Sequence, residues 1–232
     1  MALLGWVLAV GIALWQTRAL WLAPAQSFDW RSLLRQVAPL MLGAAAVQFL
    51  FMADTMFVKS YFAEEEVGFY GSAGTLSRAL MWFVGPLAAV MFPRIVHSTA
   101  RSEKSDLMGL VLVGTAILAV MGAVGLSVLG PWIIKLLYNQ SWVKVAAGVL
   151  PWYAGAMVPL ALANVLVNNL LARSDFRPVP ALCVLAAAYG FALTRFHDSL
   201  AMVLQTLGVF NLLMLGVCAW FTWGVKAPNP KP

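Results

Sequence analysis

The sequence predicts an all-α integral membrane protein, a bundle of about seven transmembrane helices. Of its 232 residues, 62% are hydrophobic and only 10% are charged, and its mean hydropathy is +0.85. A soluble domain carries about 25% charged residues because its surface faces water. The apolar residues also form runs long enough to cross a bilayer, for which about 20 residues suffice. Every run should be helical, since backbone exposed to lipid must satisfy its own hydrogen bonds.

Seven apolar runs follow one another along the chain, with short polar breaks between them. They cover residues 1–22, 30–58, 67–95, 107–129, 142–172, 179–196 and 199–224. Asp29 is positioned to cap the second run, and Gly130 with Pro131 is expected to close the fourth. Further prolines are expected to interrupt or begin helices: Pro39, Pro86, Pro151 and Pro159.

Most tryptophans stand near the ends of these runs, as in the aromatic belts of membrane proteins. They are Trp21, Trp30, Trp132, Trp142, Trp152, Trp220 and Trp223. Trp82 stands in the middle of the third run instead, and it is expected to pack inside the bundle.

Basic residues are unequally divided between the two ends of the runs, which predicts orientation. Ten fall on one side: Arg18, Arg31, Arg35, Arg94, Arg101, Lys104, Arg173, Arg177, Lys226 and Lys231. Four fall on the other: Lys59, Lys135, Lys144 and Arg195. The ten-residue side is predicted to be cytoplasmic, which places the N-terminus outside and the C-terminus inside. A cleaved signal peptide ending near Ala25 is disfavoured, because no Lys or Arg precedes the first apolar run.

No motif of a soluble enzyme is present, so an enzyme is not predicted. The sequence lacks a Gly-rich phosphate loop, an HExxH motif, a CxxC pair and a nucleophile elbow. Cys183 and Cys218 lie within apolar runs, so neither a disulfide framework nor a metal site is predicted, and no cofactor is expected. The net charge of +6 comes from short loops between spans, which indicates membrane topology rather than nucleic-acid binding.

Two charged residues lie inside the predicted spans, and they are the main functional signal. A charge at a helix centre costs about 2.5–3.5 kcal/mol on insertion scales, so Asp54 and Arg78 should face the bundle interior or a watery cavity. Gly71, Gly74 and Thr75 share a helical stripe with Arg78 and are expected to face inward with it. Two interpretations stay open: Arg78 meets an anionic substrate group, or it forms a structural ion pair with Asp54.

Other polar residues in the spans either line a cavity or hydrogen-bond between helices. Gln48 lies on the second run, and Asn164 with Asn168 forms an i, i+4 pair on the fifth. The predicted substrate-binding residues are Arg78, Asp54, Gln48, Thr75, Asn164 and Asn168.

The stretch from Arg35 to Arg94 resembles the start of the second lobe of the MOP flippase superfamily, which includes Wzx-type oligosaccharide-lipid flippases and MATE-like multidrug antiporters. The matching features are Pro39, Asp54, the sequence VGFY at 67–70 and the sequence FPR at 92–94. Residues 137–142 and 168–173 resemble later turns of the same lobe. The resemblance implies one lobe of a transporter with two six-helix lobes around a cavity.

The resemblance assigns residues 1–22 to the sixth helix, 23–30 to a cytoplasmic linker and 31–224 to a six-helix C-terminal lobe. The tail, 225–232, is expected to be disordered. The cargo implied is an anionic lipid-linked oligosaccharide for cell-surface polysaccharide synthesis at the plasma (inner) membrane. A multidrug or cation antiporter lobe and a non-transporting membrane scaffold stay as alternatives. Expected partners are the lipid bilayer and a missing N-terminal lobe or a second copy.

Overall fold

The computed structural model describes residues 2–18, 29–100, 107–137 and 143–224. Within these ranges there is no strand, and each apolar run forms one helix. The helices are α1 (Ala2–Gln16), α2 (Trp30–Tyr61), α3 (Glu64–Ala100), α4 (Leu107–Leu137), α5 (Val143–Ala172), α6 (Val179–Arg195) and α7 (Leu200–Ala219), with a π-helical turn at Trp220–Gly224 after α7. The predicted tail and most of the predicted linker lie outside the described residues.

The helices have the length and composition of a membrane bundle, so the predicted fold class is confirmed. Four are long and apolar enough to cross a bilayer: Trp30–Tyr61, Met108–Leu137, Val145–Ala172 and Leu200–Gly224. Two shorter apolar helices are Gly5–Gln16 and Val179–Arg195. The chain divides into two compact units, Met1–Gln36 and Val37–Pro232, and α2 runs through the boundary between them.

Short polar motifs begin and end several helices. The Asp29 carboxylate accepts hydrogen bonds from the backbone N–H groups of Arg31 and Ser32, at 3.0 and 3.3 Å, which confirms the predicted cap of α2. Ser199 caps α7 in the same way, through the N–H of Met202. After α5, Ser174 adopts the left-handed conformation with φ 55°, as residues that terminate helices often do.

The expected end of the fourth helix was wrong, because α4 continues through Gly130 and Pro131 to Leu137. The other prolines also lie within continuous helices: Pro39 in α2, Pro86 in α3, and Pro151 and Pro159 in α5. A proline removes one backbone hydrogen bond, but neighbouring helices and local adjustments compensate for this in membrane spans.

Helix α5 is the centre of the second unit. It packs against α3, α4 and α7, while α3 also packs on α4, and α6 on α7. Its fully buried side chains include Tyr153, Met157, Leu160 and Leu166. Gly130 of α4 lies directly against Leu150 of α5, so its missing side chain permits the close approach of the two helices.

Trp82 was expected to pack inside the bundle, and that prediction was wrong. Its side chain is 80% exposed on the surface of α3. Hydrophobicity places a residue in the membrane but does not choose between the bundle interior and the lipid, because lipid is as apolar as a protein core.

Candidate functional site

Arg78 of α3 and Asp54 of α2 form an ion pair inside the bundle. The Arg78 Nη2 atom donates to the two carboxylate oxygens of Asp54 at 2.8 and 3.0 Å. The Asp54 side chain is fully buried, and the Arg78 side chain is 12% exposed. The prediction that Arg78 faces the interior is therefore confirmed, and so is the ion pair that the sequence left open as one of two interpretations.

Two tyrosines complete the hydrogen bonding of the buried carboxylate. The Tyr70 hydroxyl of α3 donates to Asp54 Oδ2 at 2.7 Å. The Tyr153 hydroxyl of α5 donates to the same oxygen and accepts from Arg78 Nη2. Buried charges are stable when they are both paired and hydrogen-bonded, and Asp54 meets both conditions. We call these four residues, Asp54, Tyr70, Arg78 and Tyr153, the ion-pair cluster.

The guanidinium of Arg78 is held on one side and open on the other. Its Nε donates to the carbonyl of Phe51 at 2.9 Å, and its Nη2 lies 2.5 Å from the Thr55 hydroxyl. The rings of Phe51 and Tyr153 lie 5.6 and 5.4 Å from its central carbon, within cation–π range. Its Nη1 makes no hydrogen bond to any described residue. We call Nη1 the free edge of Arg78.

Gly74 makes room for the cluster where α3 meets α5. A Cβ atom at this position would lie 2.8 Å from Cε1 of Tyr153 and 3.0 Å from Nη1 of Arg78. The Tyr153 ring is held by its own hydrogen bonds and cannot easily move away. The predicted inward direction of the stripe is therefore correct for Gly74 and Arg78, but Thr75 is exposed.

The remaining predicted site residues lie apart from the ion pair. Thr75 donates its hydroxyl to the carbonyl of Gly71 in its own helix at 2.8 Å. Gln48 is exposed on α2. Asn168 donates to Asn164 at 3.3 Å, which is a bond within α5 rather than between helices. Their role in substrate binding remains a prediction.

Tyr70 and Tyr153 were not identified from the sequence. Tyr153 follows Asp54 by 99 residues, and no local spacing connects the two. The available signal was chemical: a tyrosine inside a membrane span needs a partner for its hydroxyl, and Asp54 and Arg78 were the available charged partners.

A separate cavity of about 690 Å³ lies between α5 and α7. It is lined mainly by small and apolar residues, among them Gly148, Gly155, Pro159 and Gly208, and it contains no charged residue. Among the described residues that line it, the polar groups of side chains are the amide of Gln205 and the indole N–H of Trp152. We call it the α5–α7 groove. None of the predicted site residues lines it, so the cavity and the charged chemistry occupy different parts of the lobe.

The fold and the cluster define a multi-pass membrane protein that holds a buried arginine–aspartate pair between its helices, with hydrogen bonds to both carboxylate oxygens. Residues 2–147 match the family model described as polysaccharide biosynthesis protein. The match covers more than half of the chain and includes Asp54, Tyr70 and Arg78, and the chain therefore belongs to this family. No curated protein and no solved structure matches the chain.

Proposed function

We propose that the chain is part of a flippase that translocates a lipid-linked oligosaccharide across the plasma (inner) membrane for cell-surface polysaccharide synthesis. The observation that carries the proposal is the family match, which extends over α1 to α4 and includes the intramembrane Arg78. A membrane protein of polysaccharide synthesis without an enzyme motif fits the transport step better than the sugar-transfer steps. Transport also gives a reason to retain costly charges inside the span.

The free edge of Arg78 is suited to an anionic headgroup. Its pair with Asp54 is electrically neutral, so Nη1 offers directed hydrogen bonds rather than a net positive charge. Guanidinium groups bind phosphate through such N–H bonds. A diphosphate between lipid and sugar carries the acceptor oxygens that Nη1 lacks among the described residues.

The same geometry counts against the antiporter alternative. A cation–drug antiporter needs a carboxylate that its cargo reaches. Asp54 is fully buried and already accepts hydrogen bonds from Tyr70, Tyr153 and Arg78. A cation would have to displace the guanidinium before it met this carboxylate.

The proposal includes the domain arrangement and topology that the sequence predicts. In it, 31–224 forms one six-helix lobe, 1–22 is the helix before it, and the C-terminus is cytoplasmic. The cargo path then needs a second wall, supplied by an N-terminal lobe or by a second copy. Gln48 and Thr75, both exposed on predicted spans, are then placed to face that path rather than lipid.

Deletion of the gene in its native host separates the three candidate functions. If the chain belongs to a flippase, lipid-linked oligosaccharide accumulates on the cytoplasmic face and surface polysaccharide falls. A scaffold would reduce polysaccharide without that accumulation. An antiporter would leave polysaccharide intact and change sensitivity to cationic drugs. Re-expression of the chain must reverse the accumulation, and failure to accumulate the lipid-linked intermediate contradicts the proposal.

A further inference from the structure

Trp82 has an unusual position for an exposed tryptophan. It lies about 24 Å along α3 from Glu66 and about 18 Å from Arg94, at about 1.5 Å per residue, and so stands away from the charged residues at both ends of the predicted span. Tryptophans of membrane proteins are enriched at the two interfaces, where the indole N–H reaches water or headgroups. Trp30 at the start of α2 and Trp223 in the π-helical turn after α7 fit that pattern. Trp82 is 80% exposed and does not.

Trp82 follows Arg78 by about one turn of α3. The two residues are four apart on α3, so their Cβ atoms are neighbours at about 5–6 Å. Thr75, exposed one turn further towards the start of α3, lies on the same face. The indole N–H of Trp82 has no hydrogen-bond acceptor among the described residues. On a lipid-facing surface that donor would stay unsatisfied.

We propose that Trp82 is a stacking platform for the first sugar of the lipid-linked oligosaccharide, a role that rests on the proposed function. That sugar is bonded directly to the diphosphate, so its ring and the phosphate are about one helical turn apart. The Cβ atoms of Arg78 and Trp82 are also about one turn apart. The negative face of the indole attracts the slightly positive C–H groups on the flat face of a sugar ring. Arg78 then binds the diphosphate, which all such lipids share, and Trp82 contacts the first sugar, which differs between them.

Two substitutions at Trp82 separate stacking from simple packing. Trp82→Phe keeps an aromatic face, whereas Trp82→Leu keeps an apolar side chain and removes that face. Trp132→Leu is the matched control, because Trp132 is 78% exposed on α4 and lies outside the ion-pair cluster. Exposed positions of this kind tolerate apolar exchange, so all three proteins should fold.

The test measures binding of two probes to the full chain in nanodiscs: polyprenyl diphosphate, and the same lipid carrying one N-acetylhexosamine. Trp82→Leu should weaken binding of the sugar-bearing lipid by about 3- to 10-fold and leave the bare diphosphate lipid unchanged. Trp82→Phe should stay close to the wild type, and Trp132→Leu should change neither lipid.

Different results identify which proposal fails. Equal loss of both lipids in Trp82→Leu, or no loss of either, overturns the stacking role while the wild type still binds. If the wild type binds neither lipid, this lobe does not hold the cargo by itself, and the role of Trp82 as a platform on it fails. The proposed function is tested separately, by accumulation of the lipid-linked intermediate after gene deletion.

Discussion

Glycine residues have opposite effects at the two faces of α5. On one face, Tyr153 reaches the ion-pair cluster, and Gly74 of α3 is small because the tyrosine ring occupies the space above it. On the other face, Gly148 and Gly155 border the α5–α7 groove, and no described atom outside the adjacent stretch of α5 lies within 4 Å of where their Cβ atoms would stand. The same residue type therefore permits contact on one face and leaves open space on the other.

This comparison shows what organises a bundle in an apolar solvent. Burial of apolar area does not distinguish the interior from the lipid, so satisfied polar groups and close packing must do so. The cluster face is fixed by hydrogen bonds from three helices, whereas the groove face is apolar and open. Substitutions should therefore be costly on the first face and mild on the second.

The largest effect is expected from breaking the ion pair on one side only. Loss of one partner of a buried pair costs about 3–5 kcal/mol, because it leaves an uncompensated charge. Asp54→Asn should lower the unfolding temperature more than Arg78→Gln does. A guanidinium left without its partner cannot lose its charge, whereas a carboxyl group can take up a proton. Thermal unfolding of the purified protein in detergent measures both. Unchanged unfolding temperatures would show that the pair does not stabilise the fold.

A methyl group at Gly74 is expected to have the next largest effect. Gly74→Ala places a Cβ against the Tyr153 ring, and overpacking of this kind costs about 1–3 kcal/mol. Gly155→Ala is the matched control on the groove face and should cost less than about 0.5 kcal/mol. Equal unfolding temperatures for the two variants would remove the distinction between the faces of α5.

The two buried tyrosines Tyr153 and Tyr189 provide a smaller comparison. Tyr153→Phe removes a hydroxyl that bonds both charged residues, and it should cost about 1–3 kcal/mol. The Tyr189 hydroxyl is buried without a hydrogen-bond partner among the described residues, so Tyr189→Phe should be neutral or stabilising. A larger loss from Tyr189→Phe than from Tyr153→Phe in the same unfolding assay would refute this ranking.

The smallest effect concerns the turn between α5 and α6. Arg177 donates to both Asp175 oxygens, at 2.8 and 2.7 Å, and these bonds lower the pKa of the Asp175 carboxyl against partial desolvation. A lowered pKa in the folded state stabilises the fold above the ordinary pKa of about 3.9, and this contribution is lost as the pH falls through the folded value. Partly exposed pairs contribute less than about 1 kcal/mol.

Asp175→Asn should therefore lower stability slightly at pH 7 and remove part of its decline between about pH 5 and pH 3. Unfolding curves at several pH values measure the difference from the wild type. Asp198→Asn is the control in an exposed turn without an ion pair among the described residues. An identical pH dependence of Asp175→Asn and the wild type would contradict the assignment.

The sequence determines the helices better than it determines the faces they present. In the part of the chain that the structure describes, each of the seven apolar runs forms one helix, because run length distinguishes a span from a loop. The cost of buried charge correctly placed Arg78 inside. The predicted end of α4 was wrong, because a proline such as Pro131 stops a helix in water more readily than in a membrane bundle. Trp82 was misplaced because lipid and protein interior favour the same residues. The contribution of Tyr153 depends on a contact across 99 residues, which no local pattern contains.

The most direct test of the account is transport by the double variant Asp54→Asn, Arg78→Gln. Removing both charges leaves no uncompensated ion, so this protein should regain most of the stability that the single variants lose. It no longer offers the free edge of Arg78 to a diphosphate. We expect it to insert and fold but to leave lipid-linked oligosaccharide on the cytoplasmic face when it replaces the wild type in cells. Arg177→Gln, which removes an arginine outside the spans, should restore transport. A stable double variant that restores transport would show that Arg78 serves only the fold.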